Sequence, residues 1–301
     1  MGKEYTGYGI RKGKRGNRMI KLNEKTQGIL YILGAAFFFA LMNLFVRMSG
    51  DVPTLQKCFF RNIVATFVAM LLLWKNHVKF QVGEGNLKYL LIRSGAGLLG
   101  IVCNFYAVDH LNISDASMLN KLSPFFAIIF STIILKEIAG MREWGILLLA
   151  FVGALFVIKP SMSMESIPAL IGMLGGAAAG LAYTYVRKLG QRGVNGAVIV
   201  LFFSAFSSIL LLPNLVLNFS PMTGVQWAYL LLAGVAAAGG QVCITAAYTK
   251  AAAKEISVFD YSQIIFAAIL GFVFLEQIPD GYSVVGYIII IGAAIWKWKS
   301  R

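Results

Sequence analysis

The sequence predicts an all-α integral membrane protein with ten transmembrane helices in two inverted five-helix repeats. Three observations predict it. The chain is 58% hydrophobic and only 13% charged, with a mean hydropathy of +0.73, whereas a soluble domain is about half apolar and a quarter charged. Its apolar residues fall in runs of about 20, the length that crosses a bilayer, with short loops between them. The chain also matches itself when displaced by about half its length: Ser123 then falls on Ser262, Pro124 on Gln263 and Lys121 on Asp260, residues 139 apart.

The elements follow in order. Residues 1–25 are Gly-rich and basic, without an apolar core or cleavage site, so they read as a disordered cytoplasmic segment that rests on anionic lipid rather than as a signal peptide. Met19 is a candidate start within it. The predicted spans are 28–48, 54–74, 89–108, 114–135, 145–158, 168–186, 197–217, 227–248, 256–275 and 283–298. Each is bounded by Gly, Pro, Asn or charge, as helix stops require. Residues 26–160 form the first repeat and 161–301 the second.

Lys and Arg concentrate in the N-terminal segment, in every second loop and at the C-terminus. The opposite loops offer Lys159, with Arg47 at a helix end. By the positive-inside rule the protein is a multi-pass cell-membrane protein with both termini cytoplasmic. The net charge of +14 is therefore topological and does not signal nucleic acid. Five helices is an odd number, so the two halves insert in opposite senses, and the predicted site lies between them.

Charge inside a bilayer is costly and is kept where function needs it. Lys121 and Arg61 fall roughly 10 Å below the outer surface and Asp260 roughly 6–7 Å above the inner one. Cations on one side and a carboxylate on the other suit an amphoteric small molecule. Asn43, Asn120, Gln241, Thr245 and Gln263 add polar groups inside spans, and Tyr106 and Tyr183 add aromatic walls. Such a mixture lines small-molecule sites, although single polar groups also join helices. Pro124 is the expected hinge. Matched helix ends suggest two alternating gates, Arg47 with Glu276 outside and Arg187 with Glu137 inside. Gly172, Gly176 and Gly180 read as a close-packing face. Cys58, Cys103 and Cys243 read as small buried hydrophobes, with no metal site and no cofactor.

The segment 116–137, ASMLNKLSPFFAIIFSTIILKE, resembles the fourth-helix signature of the drug/metabolite transporter superfamily, EamA-type branch. Residues 260–276 resemble its ninth-helix partner. The resemblance implies ten helices around a central cavity, a small-molecule substrate moved by alternating access, and export more than uptake. The substrate expected from the charges is a small polar, amino-acid-like metabolite, with a proton as a candidate coupling ion through Asp260. A nucleobase, nucleoside or S-adenosyl compound taken up is the alternative within transport. His110 and Asp115, in an H-x4-D spacing, raise a lipid-modifying acyltransferase as an alternative of another class. No Ser/His/Asp set, P-loop or HExxH accompanies them, so the expectation is no enzyme. A non-transporting scaffold would leave the buried charges without a use.

Overall fold

The computed structural model describes residues 23–110, 119–159, 166–276 and 278–300. The described residues contain helices and no strands. In chain order the helices are α1 (Glu24–Met48), α2 (Thr54–Lys75), α3 (Leu87–His110), α4 (Ser123–Leu135), α5 (Met141–Ile158), α6 (Ser166–Gln191), α7 (Gly196–Leu217) and α8 (Gly224–Lys250). A one-turn helix, Ala253–Ile256, and a 3-10 turn, Ser257–Tyr261, then lead into α9 (Ser262–Leu275), and α10 (Gly281–Lys299) follows. Eight helical stretches among the described residues are long and apolar enough to cross a membrane, counting Ala253–Leu275 as one, and Ser123–Leu135 is a shorter apolar helix. Residues 1–22 and the first part of the predicted fourth span lie outside the described residues.

Local chemistry sets the helix ends. Asn195 accepts from Ala197 N at 2.9 Å to start α7. Thr223 and Gln226 form a reciprocal capping box on α8, and Asp280 accepts from Ser283 N at 2.9 Å to start α10. Each satisfies a backbone donor that the helix leaves unpaired. Three helices end directly on non-glycine residues in the left-handed region: Lys136 after α4 (φ 58°), Lys159 after α5 (φ 48°) and Glu276 after α9 (φ 55°). The Lys136 and Glu276 caps occupy the same place in the two repeats.

Packing follows the repeat. α1 lies against α8 as α6 lies against α3; α2 faces α7, and α5 faces α10. The glycine face of α6 makes its contact possible. A Cβ at Gly176 would stand 2.7 Å from the Leu119 carbonyl oxygen, and one at Gly180 would stand 2.7 Å from Ala127 N. Only hydrogen side chains let the backbones of α6 and α4 approach so closely. α8 does the same against α1: a Cβ at Gly240 would meet the Phe39 ring at 2.5 Å. The core between the helices is built from Ile32, Ala35, Ile146, Leu147, Ala150 and Tyr248, among others. Phe67, Leu71, Trp74, Ile133, Val216, Phe272 and Val273 are exposed on the periphery. In water a belt of that size would be a liability; in a bilayer it is the lipid-facing surface.

Two of the predicted helices are broken. The fourth becomes regular only at Ser123, after a turn at Lys121 and Leu122. Pro124 therefore sits in the first turn of α4, not in the interior of one long helix. Proline lacks an amide hydrogen that the first turn does not need, so it starts α4 and does not kink it. The ninth predicted helix is divided likewise by the 3-10 turn that carries Asp260. The charged residue in each repeat stands at a break in its helix.

Candidate functional site

The two breaks meet. Lys121 is 8% exposed, and its Nζ donates to Asp260 Oδ2 at 3.2 Å and to Gln263 Oε1 at 2.7 Å. The Tyr261 hydroxyl, from the second repeat, donates to the Lys121 carbonyl oxygen at 2.8 Å. That carbonyl is available because the turn at Lys121 leaves it outside a helical ladder. A buried ion pair costs desolvation that its mutual attraction need not repay. Here the amine also has Gln263, so its charge is held by two acceptors.

Lys121, Gln263 and Asn43 line a cavity of about 390 Å³, closed on the other sides by Ile158, Ile264, Pro279 and Tyr287. Ile158 ends α5 and Pro279 precedes α10, so the cavity reaches the face where those helices are joined to their neighbours. The walls combine apolar side chains with five that carry polar groups, Asn43, Lys121, Gln263, Ser283 and Tyr287, as small-molecule sites are built.

The other expected site residues divide. Asn120 donates to Asn104 Oδ1 at 2.9 Å, bracing the first break against α3. Tyr183 stacks on Tyr248 with ring centroids 4.9 Å apart. Gln241 accepts from Arg93 Nη2 at 3.2 Å. Thr245 is buried with its hydroxyl unpartnered, and the Nε of Arg61 is likewise buried and unpartnered. Tyr106 departs from expectation: it is exposed and stacks on the His110 ring at 4.0 Å. Four residues along a helix place it over His110, and it does not line the cavity. The His110 ring nitrogen contacts the Tyr106 carbonyl oxygen at 2.9 Å. Asp115 lies outside the described residues.

At the end of the bundle where α1 begins and α10 ends, Glu137 gathers three partners. It accepts from Arg187 Nε at 3.0 Å, Gln191 Nε2 at 2.9 Å and Ser131 Oγ at 2.9 Å. Arg187 Nη1 also donates to the Thr249 carbonyl oxygen at 3.0 Å. The second expected gate is not formed. Arg47 and Glu276 are both exposed and are not paired with each other. The matched left-handed caps give the reason. Glu276 takes the place of Lys136, not of Glu137, because α9 runs one residue longer than α4. At that end Lys159 pairs with Asp280 instead. The Lys159 ammonium, with Ser283, holds the Asp280 carboxyl down at about 2.

Sequence reasoning missed Arg93 and Lys297. Arg93 is 2% exposed, with its guanidinium 3.7 Å over the Phe203 ring. The signal was an arginine inside the third span, as legible as Arg61. Lys297 looked like a terminal topology charge, yet it is 5% exposed and pairs with Glu143 at 3.5 Å and Glu255 at 3.8 Å.

Comparison with known proteins now places the chain. The model of the EamA-like transporter family matches it twice, over residues 26–159 and 166–297. The chain belongs to the EamA-like transporter family. It is 34% identical to the pseudopaline exporter CntI of Pseudomonas aeruginosa, over 89% of this chain and 94% of the exporter. It is 25% identical to human solute carrier family 35 member G1, over 90% and 80%. It is also 25% identical to the riboflavin transporter of Vibrio cholerae, over 91% and 94%. A solved crystal structure superposes with TM-score 0.77 at 16% identity, over 89% of this chain and 95% of that one, a likeness of fold. The EamA-like chain is thus a multi-pass membrane transporter for small molecules, not an enzyme, and the Lys121 site is to be read as part of a transporter.

Proposed function

We propose that this protein is a secondary transporter that exports a small polar, amino-acid-like metabolite by alternating access. The observation that carries this reading is the junction of Lys121 with Asp260 and Gln263. One charged break from each half meets the other at a cavity open to one face. A substrate with its own charges can enter from that face and exchange partners with the pair. Each half then has something to follow when it rocks. The broken helices supply unladdered carbonyls and amides at the same depth, the usual currency of sites in duplicated transporters. Export is supported by the resemblance to the pseudopaline exporter. Cytoplasmic termini are supported by the Lys/Arg bias. Asp260 is the candidate for proton coupling, because substrate that takes Lys121 would leave it free to accept one.

The test is transport in cells or proteoliposomes with Lys121→Ala and Asp260→Ala. Each is expected to lower the rate by about a hundredfold or more, the scale of leaving one buried charge unpaired, while the protein still inserts at normal levels. Wild-type rates in both variants would sink the proposal.

A further inference from the structure

A second cavity lies on the flank of the bundle, apart from the Lys121 junction. It has a volume of about 410 Å³ and is lined by Met70 of α2, by Phe80 beyond α2, and by Leu201, Phe202, Phe206 and Ile209 of α7. Every lining side chain is apolar. Phe202 and Phe206 stack with ring centroids 6.4 Å apart, and α7 rises roughly 12 Å from Leu201 to Ile209. Met70, Phe80 and Ile209 are exposed, so the cavity is a groove open to the surroundings of the bundle. In a bilayer those surroundings are hydrocarbon. Walls without a polar group have nothing with which to orient a polar cargo.

The polar groups stand at the end of the groove. α2 stops at Lys75, and a Schellman turn follows. Val78 N donates to the Leu73 carbonyl oxygen at 2.9 Å and Asn76 N to that of Leu72 at 3.1 Å, with His77 at φ 51°. The turn folds the chain back on the bundle, where Val78 and Val82 pack on the core and Phe80 reaches the groove. Lys75 thus follows Met70 on the same helix, and Lys79 is the neighbour of Phe80. Both lysines are exposed. Among the described residues neither has a hydrogen-bond or ion-pair partner, and Glu84, the acid of the same loop, pairs with neither. Trp74, beside Lys75, is exposed too, and an exposed tryptophan at a helix end marks the headgroup level of a bilayer. Two unpaired cations therefore stand at that level, next to an apolar slot that runs into the hydrocarbon.

An anionic phospholipid has the same two parts in the same order, a phosphate at the surface and a chain below it. We propose that the groove is a binding site for such a lipid: one acyl chain lies along α7 against Met70 and the two phenylalanines, and the phosphate sits between Lys75 and Lys79. The chain gains in proportion to the apolar area it buries, and each lysine adds attraction to an anionic headgroup. A second copy of this protein suits the groove less well. At this end Glu137, Glu143 and Glu255 are already paired with cations of their own chain, so they are not free to meet the two lysines. A lipid in the groove touches α2 of the first repeat and α7 of the second, and so bridges the two halves from outside the Lys121 cavity.

The test is native mass spectrometry of the purified full-length protein in detergent, offered dioleoyl phosphatidylglycerol and dioleoyl phosphatidylcholine at equal concentration. The wild type is expected to retain the phosphatidylglycerol in preference by about 20-fold, about fivefold for each lysine near a lipid phosphate. Lys75→Gln with Lys79→Gln is expected to remove most of that preference. Lys250→Gln with Lys299→Gln, the same loss of charge at the same end, is expected to keep it. Ala205→Phe, which fills the groove, is expected to weaken retention of the lipid by about tenfold or more, the scale of losing several buried methylenes. If Ala205→Phe fails to fold, dihexanoyl phosphatidylglycerol on the wild type decides the same point: it has the phosphate without the long chain and is expected not to be retained. The proposal is overturned if the wild type retains both dioleoyl lipids equally, or if the two double variants behave alike. It is overturned as well if the short-chain lipid is held as firmly as the long one, which would leave a phosphate site alone. A wild-type dimer that keeps no phospholipid would put a second copy in the groove and overturn it too. None of these results depends on Lys121 or on the substrate, so the transporter reading above stands or falls separately.

Discussion

The two ends of the bundle are built from the same repeat and are in different states. At the end where α1 begins and α10 ends, Arg187 holds Glu137, Gln191 joins them, Lys254 donates to the Ile138 carbonyl oxygen at 2.6 Å, and α6 packs on α8. At the other end Arg47 and Glu276 stand apart and exposed, and the counterpart helices α1 and α3 make at most marginal contact among the described residues. The cavity opens at this second end. The difference teaches that duplication copies the helices without copying every latch. Arg47 and Arg187 are copies. The carboxylate opposite them is not, because one extra residue in α9 moves Glu276 onto the cap position of Lys136. In register with Glu137 the sequence has Gln277. An ionic latch at one end only biases the resting protein toward closure at that end.

The comparison can be broken most strongly at Glu137. The Arg187–Glu137 pair is about 15–18% exposed on its side chains, between the surface and buried limits for ion pairs. Glu137→Gln is expected to cost about 1–2 kcal/mol of the closed arrangement, a factor of about 5–30 in its population. Labelling of a cysteine placed at Thr249 should quicken by about that factor, while Arg47→Gln leaves it unchanged. Equal labelling in all three proteins would show that the contact closes nothing.

A smaller effect is expected from giving the open end the missing carboxylate. Gln277→Glu sets an acid at the sequence position that aligns with Glu137, as Arg47 aligns with Arg187. An exposed pair is worth about 0–1 kcal/mol, so the inward–outward ratio should move by no more than about fivefold. A transport rate measured in both directions reads it, and the shift should vanish in high salt. A shift that survives high salt would point to packing and not to charge.

The smallest effect belongs to Lys159 and Asp280. The carboxyl sits at about 2, below its usual value near 3.8. Such a group contributes stability that is present above the unfolded value and is lost only as pH falls through about 2. Between pH 5 and 8, Asp280→Asn should therefore melt with the same pH profile as the wild type. Asparagine also keeps the cap on α10, as it caps nearly as well as aspartate. A variant that melts much lower throughout that range would mean that the exposed pair anchors the open end.

Much of this was legible without coordinates. Hydropathy marks helix-length apolar runs because a bilayer admits few alternatives to the helix, and the displacement of the chain on itself exposed the repeat and matched Lys121 with Asp260. What local pattern cannot report is distance between segments far apart in sequence. It therefore overlooked Arg93, whose meaning depends on Phe203 and Gln241 across two other helices, and misjudged Lys297, which becomes buried only when the end of α10 docks against Glu143 and Glu255. It placed Tyr106 in the cavity because periodicity gives a face and not what the face meets. It set Pro124 inside a helix because a break stabilised by Tyr261, 140 residues away, leaves no local mark. By itself the sequence determined the membrane, the apolar spans, the duplication and the burial of Lys121, since each follows from the solvent a segment must satisfy. Which charges meet, and that Glu276 caps α9 apart from Arg47, were decided by the tertiary structure, because a single residue of register is invisible to periodicity and decisive for a contact a few ångströms long.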